Sequence, residues 1–448
     1  MKKKNKKKTE QSKKINNDTK QKNTYRHSRK IRWDKLDNTA HLFPVIAGES
    51  MTNTYRIAVE LKEEVDPQLL QEALDLVLPK FDLFNVRMRT GLFWYYFEEN
   101  GKRAPKVREE HTYPCRYILP NKNQSYLFRV SYYGKRINLE VFHVLTDGMG
   151  GINFLKELTY QYLRLAHPKL RELDGDTLST ETSLNREDSF LRNYRKSAKK
   201  TYQSKKAYLI KGDLLGKDEF GVIHGYLNIP QLKEVAHRYD MSINEYLVAV
   251  FAWSIYRECL HGMTNDHAIR IAVPVNLRPF FDSVTTKNFF VMVSAELMPD
   301  KENLGFDEVM QRVKTSLKQQ ITKEHLEEIF SYNVSNQQNL FARAVPLFLK
   351  NLAIRTVYTK SALANTTTMT NIGNITIKEA YAPYVDMFHA FLSMSKGQML
   401  KATICSYGDR LAVTFSSVLV DAHVQRAFFR QLAGDGLDVT IESNGVYN

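Results

Sequence analysis

Two stretches of this 448-residue chain can be laid on one another without a gap, residues 127–158 on residues 401–432. Tyr133-Gly134 falls on Tyr407-Gly408 and Arg136 on Arg410. Leu139 and Val141 fall on Val413 and Phe415, Val144-Leu145 on Val418-Leu419, Asp147 on Asp421 and Leu158 on Leu432. Each copy reads as alternating residues, a tight turn at Gly, a second alternating run, an aspartate and then an amphipathic helix. A supersecondary unit used twice, 274 residues apart, predicts two halves built on one subdomain plan.

The repeat also separates scaffold from chemistry. An aspartate where a strand hands over to a helix is ordinarily an N-cap, so Asp147 and Asp421 have a structural explanation. His143 has none, because Ser417 stands at its place in the second copy. The run Gly148, Gly150 and Gly151 is likewise answered by Ala422-His423-Val424-Gln425. A lone histidine on an apolar strand is usually a core residue. Here the Asp-Gly at fixed spacing, the glycine run and the unmatched position point to function. Histidine titrates near neutral pH, so its neutral ring can take a proton from an attacking hydroxyl or amine. Asp147, four residues on, is placed to fold back and hold the imidazole. The glycines are expected to permit close approach of a ligand and positive φ, with an exposed helix N-terminus favouring developing negative charge. The segment matches neither a phosphate-binding loop nor a dinucleotide fingerprint, and no metal is implied.

The rest of the chain reads as mixed α/β. Strands are expected at 55–62, within 86–98 and 127–145, and at 268–278, 288–297, 366–375, 386–394, 399–406 and 410–417. Helices are expected from Asp66-Pro67, at about 152–165, 230–239, 242–260, 306–338 and 346–360, and at 421–432. Residues 171–215 are polar with little periodicity and read as a linker. The division is a tail over 1–30, a first subdomain over 31–170 and a second over 216–448.

Charge is concentrated at one end. Residues 1–30 hold thirteen Lys or Arg against Glu10 and Asp18, a net of +11 out of +15, which leaves +4 for the other 418 residues. That argues against a general nucleic-acid-binding face and for a solvated basic tail. The tail is read as solubilising; weak electrostatic contact with RNA or an anionic membrane surface is the alternative. Three scattered cysteines, Cys115, Cys259 and Cys405, suit a reducing compartment. With no apolar run behind the basic start, a cytoplasmic location is expected.

The motif His143-Val144-Leu145-Thr146-Asp147-Gly148 resembles the HxxxDG signature of the chloramphenicol-acetyltransferase-like superfamily, which includes condensation domains and alcohol acetyltransferases. WDKLDNTAHLFP (33–44), GLFWYYFEENG (91–101) and PVNLRPFF (274–281) extend the resemblance to the bacterial alcohol-acetyltransferase-like branch. The histidine that many relatives carry just before the catalytic one is replaced by Phe142, and the DFGWG segment is not evident.

The resemblance implies two chloramphenicol-acetyltransferase-like subdomains, mixed β-sheets flanked by helices, forming a pseudo-dimer with a channel between them. It implies an acyltransferase with His143 as general base. The donor would be an acyl-CoA consumed as co-substrate or an acyl carrier protein thioester, the acceptor a small-molecule alcohol or amine, with no tightly bound cofactor. Asp147 and Arg278 would form a structural ion pair and Gly148 would shape the turn. Gly150, Thr370 and Asn371 are candidates for binding the donor or the oxyanion. Thr370-Asn371 lies where a strand crossing between subdomains is expected. Because the halves are fused, a monomer is expected.

Overall fold

The structure is a computed structural model and describes residues 33–174, 187–196, 205–338 and 345–447. The basic tail over 1–30, and residues 175–186 and 197–204 of the linker, lie outside the described residues.

The fold is mixed α/β, and each half is organised on one sheet. The first sheet has five strands in the order β12-β2-β7-β6-β5. These are β2 (Thr54–Leu61), β5 (Arg108–Glu109), β6 (Phe128–Tyr133), β7 (Arg136–Phe142) and β12 (Val385–Leu392). The second has seven, ordered β10-β9-β11-β13-β14-β8-β15. They are β8 (Gly221–Asn228), β9 (Ile269–Asn276), β10 (Phe290–Leu297), β11 (Thr367–Asn374), β13 (Leu400–Tyr407), β14 (Arg410–Ser417) and β15 (Thr440–Ser443). A small third sheet joins β1 (Trp33–Lys35), β4 (Tyr95–Glu99) and β3 (Val86–Thr90). Parallel pairs, β11 with β13 and with β9, sit among antiparallel ones.

The repeat is visible as structure. In the first copy β6 and β7 pair with Tyr133 opposite Arg136 around Gly134, followed by the helix Gly148–Ala166. In the second, β13 and β14 pair with Tyr407 opposite Arg410 around Gly408, followed by the helix His423–Gly434. Gly134 and Gly408 both have positive φ, +52° and +58°, which is why glycine recurs there. The copies differ at the helix start. Asp147 caps its helix, accepting from Met149 N and Gly150 N. Asp421 does not, since the second helix begins one residue later, with Ala422 at its N-cap and no side-chain bond.

The chain does not divide cleanly at the linker. β12 lies inside 216–448, yet it pairs along its length with β2 of the first sheet. This is the strand that crosses between halves; β11, which carries Thr370 and Asn371, stays in the second sheet. Within 171–215, read as a solvated linker, Ser189 and Phe190 are buried, and Phe190 packs edge-on against Phe289 at 5.0 Å. The expected helix over 306–338 is two, Phe306–Gln320 and Lys323–Gln338.

Candidate active site at the seam of the two halves

His143 follows the last residue of β7, and its ring is half-buried where the halves meet. Phe43 stacks on it at 4.6 Å between ring centroids, Tyr55 meets it edge-on at 5.1 Å, and Phe290 of the second half lies at 5.5 Å. Asp147 does not hold the imidazole. Nδ1 instead lies 3.1 Å from Oδ1 of Asn288, 145 residues away in the second half.

That contact fixes the tautomer. Asn288 Nδ2 donates to Asp37 Oδ2 at 2.8 Å and to the His143 carbonyl at 3.3 Å. Both are acceptors, so the amide nitrogen must face them and the amide oxygen must face the ring. Nδ1 therefore carries the proton and donates to Asn288, leaving the Nε2 lone pair with no hydrogen-bond partner among the described residues. Asp37 is itself held by Ala40 N at 2.8 Å. Burial pushes its carboxyl up to about 7, opposed by the bonds from Asn288 and Ala40. Burial also holds His143 below the ordinary histidine range, against the opposing charge of Asp147. A depressed imidazole is neutral at neutral pH, the form a general base needs. Lys401, buried at the start of β13 with Nζ 2.5 Å from Ser395 Oγ, adds to the depression of His143. Its own ammonium is pushed down to about 7 by burial.

Asp147 is occupied elsewhere. Arg278 of the second half reaches it through two bonds, Nη1 to Oδ2 at 2.8 Å and Nη2 to Oδ1 at 3.1 Å. Phe289 N donates to Oδ2 at 3.0 Å. The guanidinium is further held by the carbonyls of Thr285 at 2.9 Å and Lys287 at 2.7 Å. Arg278 sits at the first turn of the short helix Arg278–Phe281. The carboxylate thus joins both halves and caps the helix behind His143. Its acceptance of Met149 N and Gly150 N also means that this helix end is already neutralised by Asp147, so it offers no vacant anion site.

The glycines serve packing rather than a loop. None of Gly148, Gly150 and Gly151 has positive φ; all three lie in the helix. A Cβ on Gly150 would stand 1.9 Å from Thr146 Oγ1 and 2.7 Å from the Thr286 carbonyl. One on Gly151 would stand 2.8 Å from the Tyr55 hydroxyl. Tyr55 in turn donates to the Asp147 carbonyl at 2.7 Å. At Gly148 the nearest atom would be Ile372 Cδ1 at 3.8 Å, so β11 does reach this helix start. Thr370 pairs with Thr403 of β13, and a β-bulge between Asn371 and Gly373 takes Ile372 out of the strand's alternation. Asn371 accepts from Gly373 N at 2.8 Å and is exposed, and among the described residues neither Thr370 nor Asn371 hydrogen-bonds to His143 or Asp147.

No group of three or more metal-ligating side chains occurs among the described residues. What the seam offers is one neutral, half-buried imidazole whose Nε2 has no hydrogen-bond partner among the described residues, walled by aromatic rings and held from both halves.

No family model matches the sequence, and no curated protein does. Solved structures do match in fold. F. sporotrichioides TRI101, complexed with coenzyme A and T-2, superposes with a TM-score of 0.59 over 92% of this chain and 99% of that one, at 10% identity. Polyketide synthase associated protein 5 from Mycobacterium tuberculosis gives 0.55 over 89% and 96%, at 14% identity. The condensation domain from the monacolin K polyketide synthase MokA gives 0.54 over 90% and 97%, at 11% identity. The chain therefore has the two-lobed fold of the condensation domains and chloramphenicol-acetyltransferase-like acetyltransferases.

Proposed function

We propose that this protein is an acyltransferase that moves an acyl group from a thioester, an acyl-CoA or an acyl carrier protein, onto a hydroxyl or amine acceptor, with His143 as general base. The observation that carries this reading is the Nε2 of His143, left as a lone pair by the Nδ1–Asn288 bond on a half-buried residue at the seam. The fold supports it, since similar folds include trichothecene acetyltransferases, one of them solved with coenzyme A.

In the proposed reaction the acceptor's O–H or N–H gives its proton to Nε2 as the oxygen or nitrogen attacks the thioester carbonyl carbon. The tetrahedral adduct collapses with cleavage of the C–S bond. The imidazolium returns its proton to the departing thiolate, so the products are an ester or amide and a free thiol. Asn288 keeps Nδ1 protonated throughout, and the Asp147–Arg278 pair holds the two halves in register around the ring. Asp147 takes no part in proton transfer. Coenzyme A would be consumed and released rather than retained as a cofactor.

The test is thiol release from acetyl-CoA with a panel of alcohols and amines. Replacing His143 with Ala is expected to remove at least about a hundredfold of the rate, the low end of what a general base contributes. Thermal stability should stay close to that of the parent. Turnover that is unchanged in His143→Ala would overturn the assignment.

A further inference from the structure

One face of β13 is turned to β12, the strand that crosses between the halves. On it the Cys405 thiol donates to the Phe388 carbonyl at 3.0 Å, and the Thr403 hydroxyl donates to the Ala390 carbonyl. Lys401 comes next on this face by alternation, with Ser416 of β14 opposite it. There β12 ends and the pattern breaks. Lys401 Nζ donates at 2.5 Å to the hydroxyl of Ser395, in the turn that the Ser395–Gln398 bridge closes. Among the described residues no carboxylate lies within ion-pair distance of Lys401, which is 7% exposed. A lysine so deep is ordinarily paired, because burying an unpaired ammonium is costly. Its neighbours sharpen the lack. The ammonium has three donors and spends one on Ser395. The Ser395 hydroxyl accepts there, and its own proton goes to no other group among the described residues. The buried hydroxyl of Ser416 has no partner among them either. Donors gathered around a positive charge with no acceptor are the complement of an oxygen anion.

The position of this group ties it to the imidazole. Leu392, the last residue of β12, pairs with Tyr55 of β2, whose ring meets His143 edge-on. Two residues before Tyr55, the Asn53 carbonyl accepts from His143 N at 2.9 Å. β12 and β2 are antiparallel, so the turn carrying Ser395 leaves β12 alongside the segment that anchors His143. The charge of Lys401 reaches the ring. An anion received here would therefore belong to what reacts at Nε2, the acceptor or the acyl group. The phosphates of a coenzyme A donor sit at the far end of the pantetheine arm from the thioester and do not meet this requirement.

We propose that Lys401, with the Ser395 hydroxyl, receives a carboxylate carried by one of the two reacting molecules: an acidic acceptor such as a hydroxy or amino acid, or the acyl group of a dicarboxylic thioester. This rests on the acyl-transfer reading for what the ligand does, and on the surroundings of Lys401 for what it is.

Each probe is added alone to the full chain, so that nothing turns over, and binding is read by calorimetric titration. ω-Hydroxycarboxylates of increasing length, each matched by the diol of the same length, test the acceptor; succinyl-CoA against butyryl-CoA tests the acyl group. In one of these two series the carboxylate should bind at least about tenfold more tightly than its neutral match, the low end for a hydrogen bond to a charged group. Lys401→Met should abolish that preference while the melting temperature holds or rises, because an apolar side chain of similar length removes a buried charge. Lys401→Gln, neutral and polar, gives the same reading where the Met variant folds poorly. Carboxylates that bind no better than their neutral matches in both series overturn the proposal. So does a preference that both variants keep. Inorganic phosphate that binds more tightly than any carboxylate, and only while Lys401 is present, would assign the ammonium to a phosphate group and overturn it as well. Because binding is read without turnover, its failure is distinct from a failure of thiol release, which would count against His143 as the base.

Discussion

Asn288 Oδ1 lies 3.1 Å from Nδ1 of His143, so a residue of the second half decides which nitrogen of the first half's histidine can accept a proton. Removing that acceptor, in Asn288→Ala, lets the ring protonate on either nitrogen and turn. The turnover number is expected to fall by about ten- to a hundredfold, part of the range a general base supplies. Nitrogen-15 NMR should move from a single Nδ1–H tautomer towards a mixture. Asn288→Asp should act differently, because a carboxylate beside the ring favours the imidazolium. Its acid limb of the pH–rate profile should shift upward. A profile identical to the parent's in both variants would remove Asn288 from the site.

The Arg278–Asp147 pair should show its worth in stability rather than chemistry. It is nearly buried, bidentate and supported by three further donors on the carboxylate and two carbonyls on the guanidinium. Arg278→Ala leaves a buried carboxylate without its counter-charge, at a cost of roughly 3–5 kcal/mol. Replacing both residues by apolar ones of similar size should cost less than the sum of the single changes. Urea unfolding of the two single variants and the double variant measures this coupling directly.

Local pattern carried far in this chain, and the limit of its reach is instructive. The hairpin–helix copies were legible because each is built from contiguous residues whose alternation, turn glycine and amphipathic period are all local. Arg278 was legible only through the resemblance of its segment to a family pattern. Asn288 and Asp37 were not legible. Their partners lie 145 and 251 residues away, and a buried amide at a strand's start looks like any loop polar residue. A signal did exist, in Asp37 inside the aromatic-rich 33–44 and Asn288 inside a polar run before an apolar strand. Asp147 was misjudged in one respect, as the group that holds the imidazole, because spacing shows which residues are near and not which competing donors claim a carboxylate. The short strands β1, β5 and β15 went unseen since two to four residues carry no period.

The glycine run yields a contrast between neighbours. Gly150→Ala forces a methyl group against Thr146 Oγ1 and the Thr286 backbone carbonyl, and the carbonyl cannot rotate away. A loss of about 1–3 kcal/mol or more is expected from overpacking. Gly148→Ala meets only Ile372 Cδ1 at 3.8 Å, in a helix where alanine is the better former. It should be neutral or slightly stabilising. Thermal melts of the two variants, which flank Met149, decide whether the run serves packing or flexibility. Equal destabilisation would contradict the packing account.

A buried pair of histidines ties the two sheets together and should make the seam sensitive to acid. His224 on β8 and His389 on β12 face each other with ring centroids 4.5 Å apart. His224 bonds Thr414 Oγ1 at 2.8 Å, and His389 Nε2 bonds Tyr226 OH at 3.0 Å, which also donates to Glu442. Burial pushes His224 down to about 3, helped by the charge of Arg136. Burial likewise drives His389 far below the ordinary value, with His224, Arg136 and Arg410 adding to it. Their folded values lie under the unfolded value of 6.5, so the unfolded chain takes up these protons first. Stability contributed above pH 6.5 is therefore lost as pH falls from there towards 3, by up to about 1.4 kcal/mol per pH unit for each ring. Asp37 works the other way between 3.8 and about 7, since the folded state holds its proton, and cancels part of that slope. His389→Gln removes one of the two rings. Its unfolding free energy, measured in urea between pH 5 and 6.5, should depend on pH less steeply than the parent's by about one proton. Slopes that coincide would mean that His389 is not held neutral between the sheets.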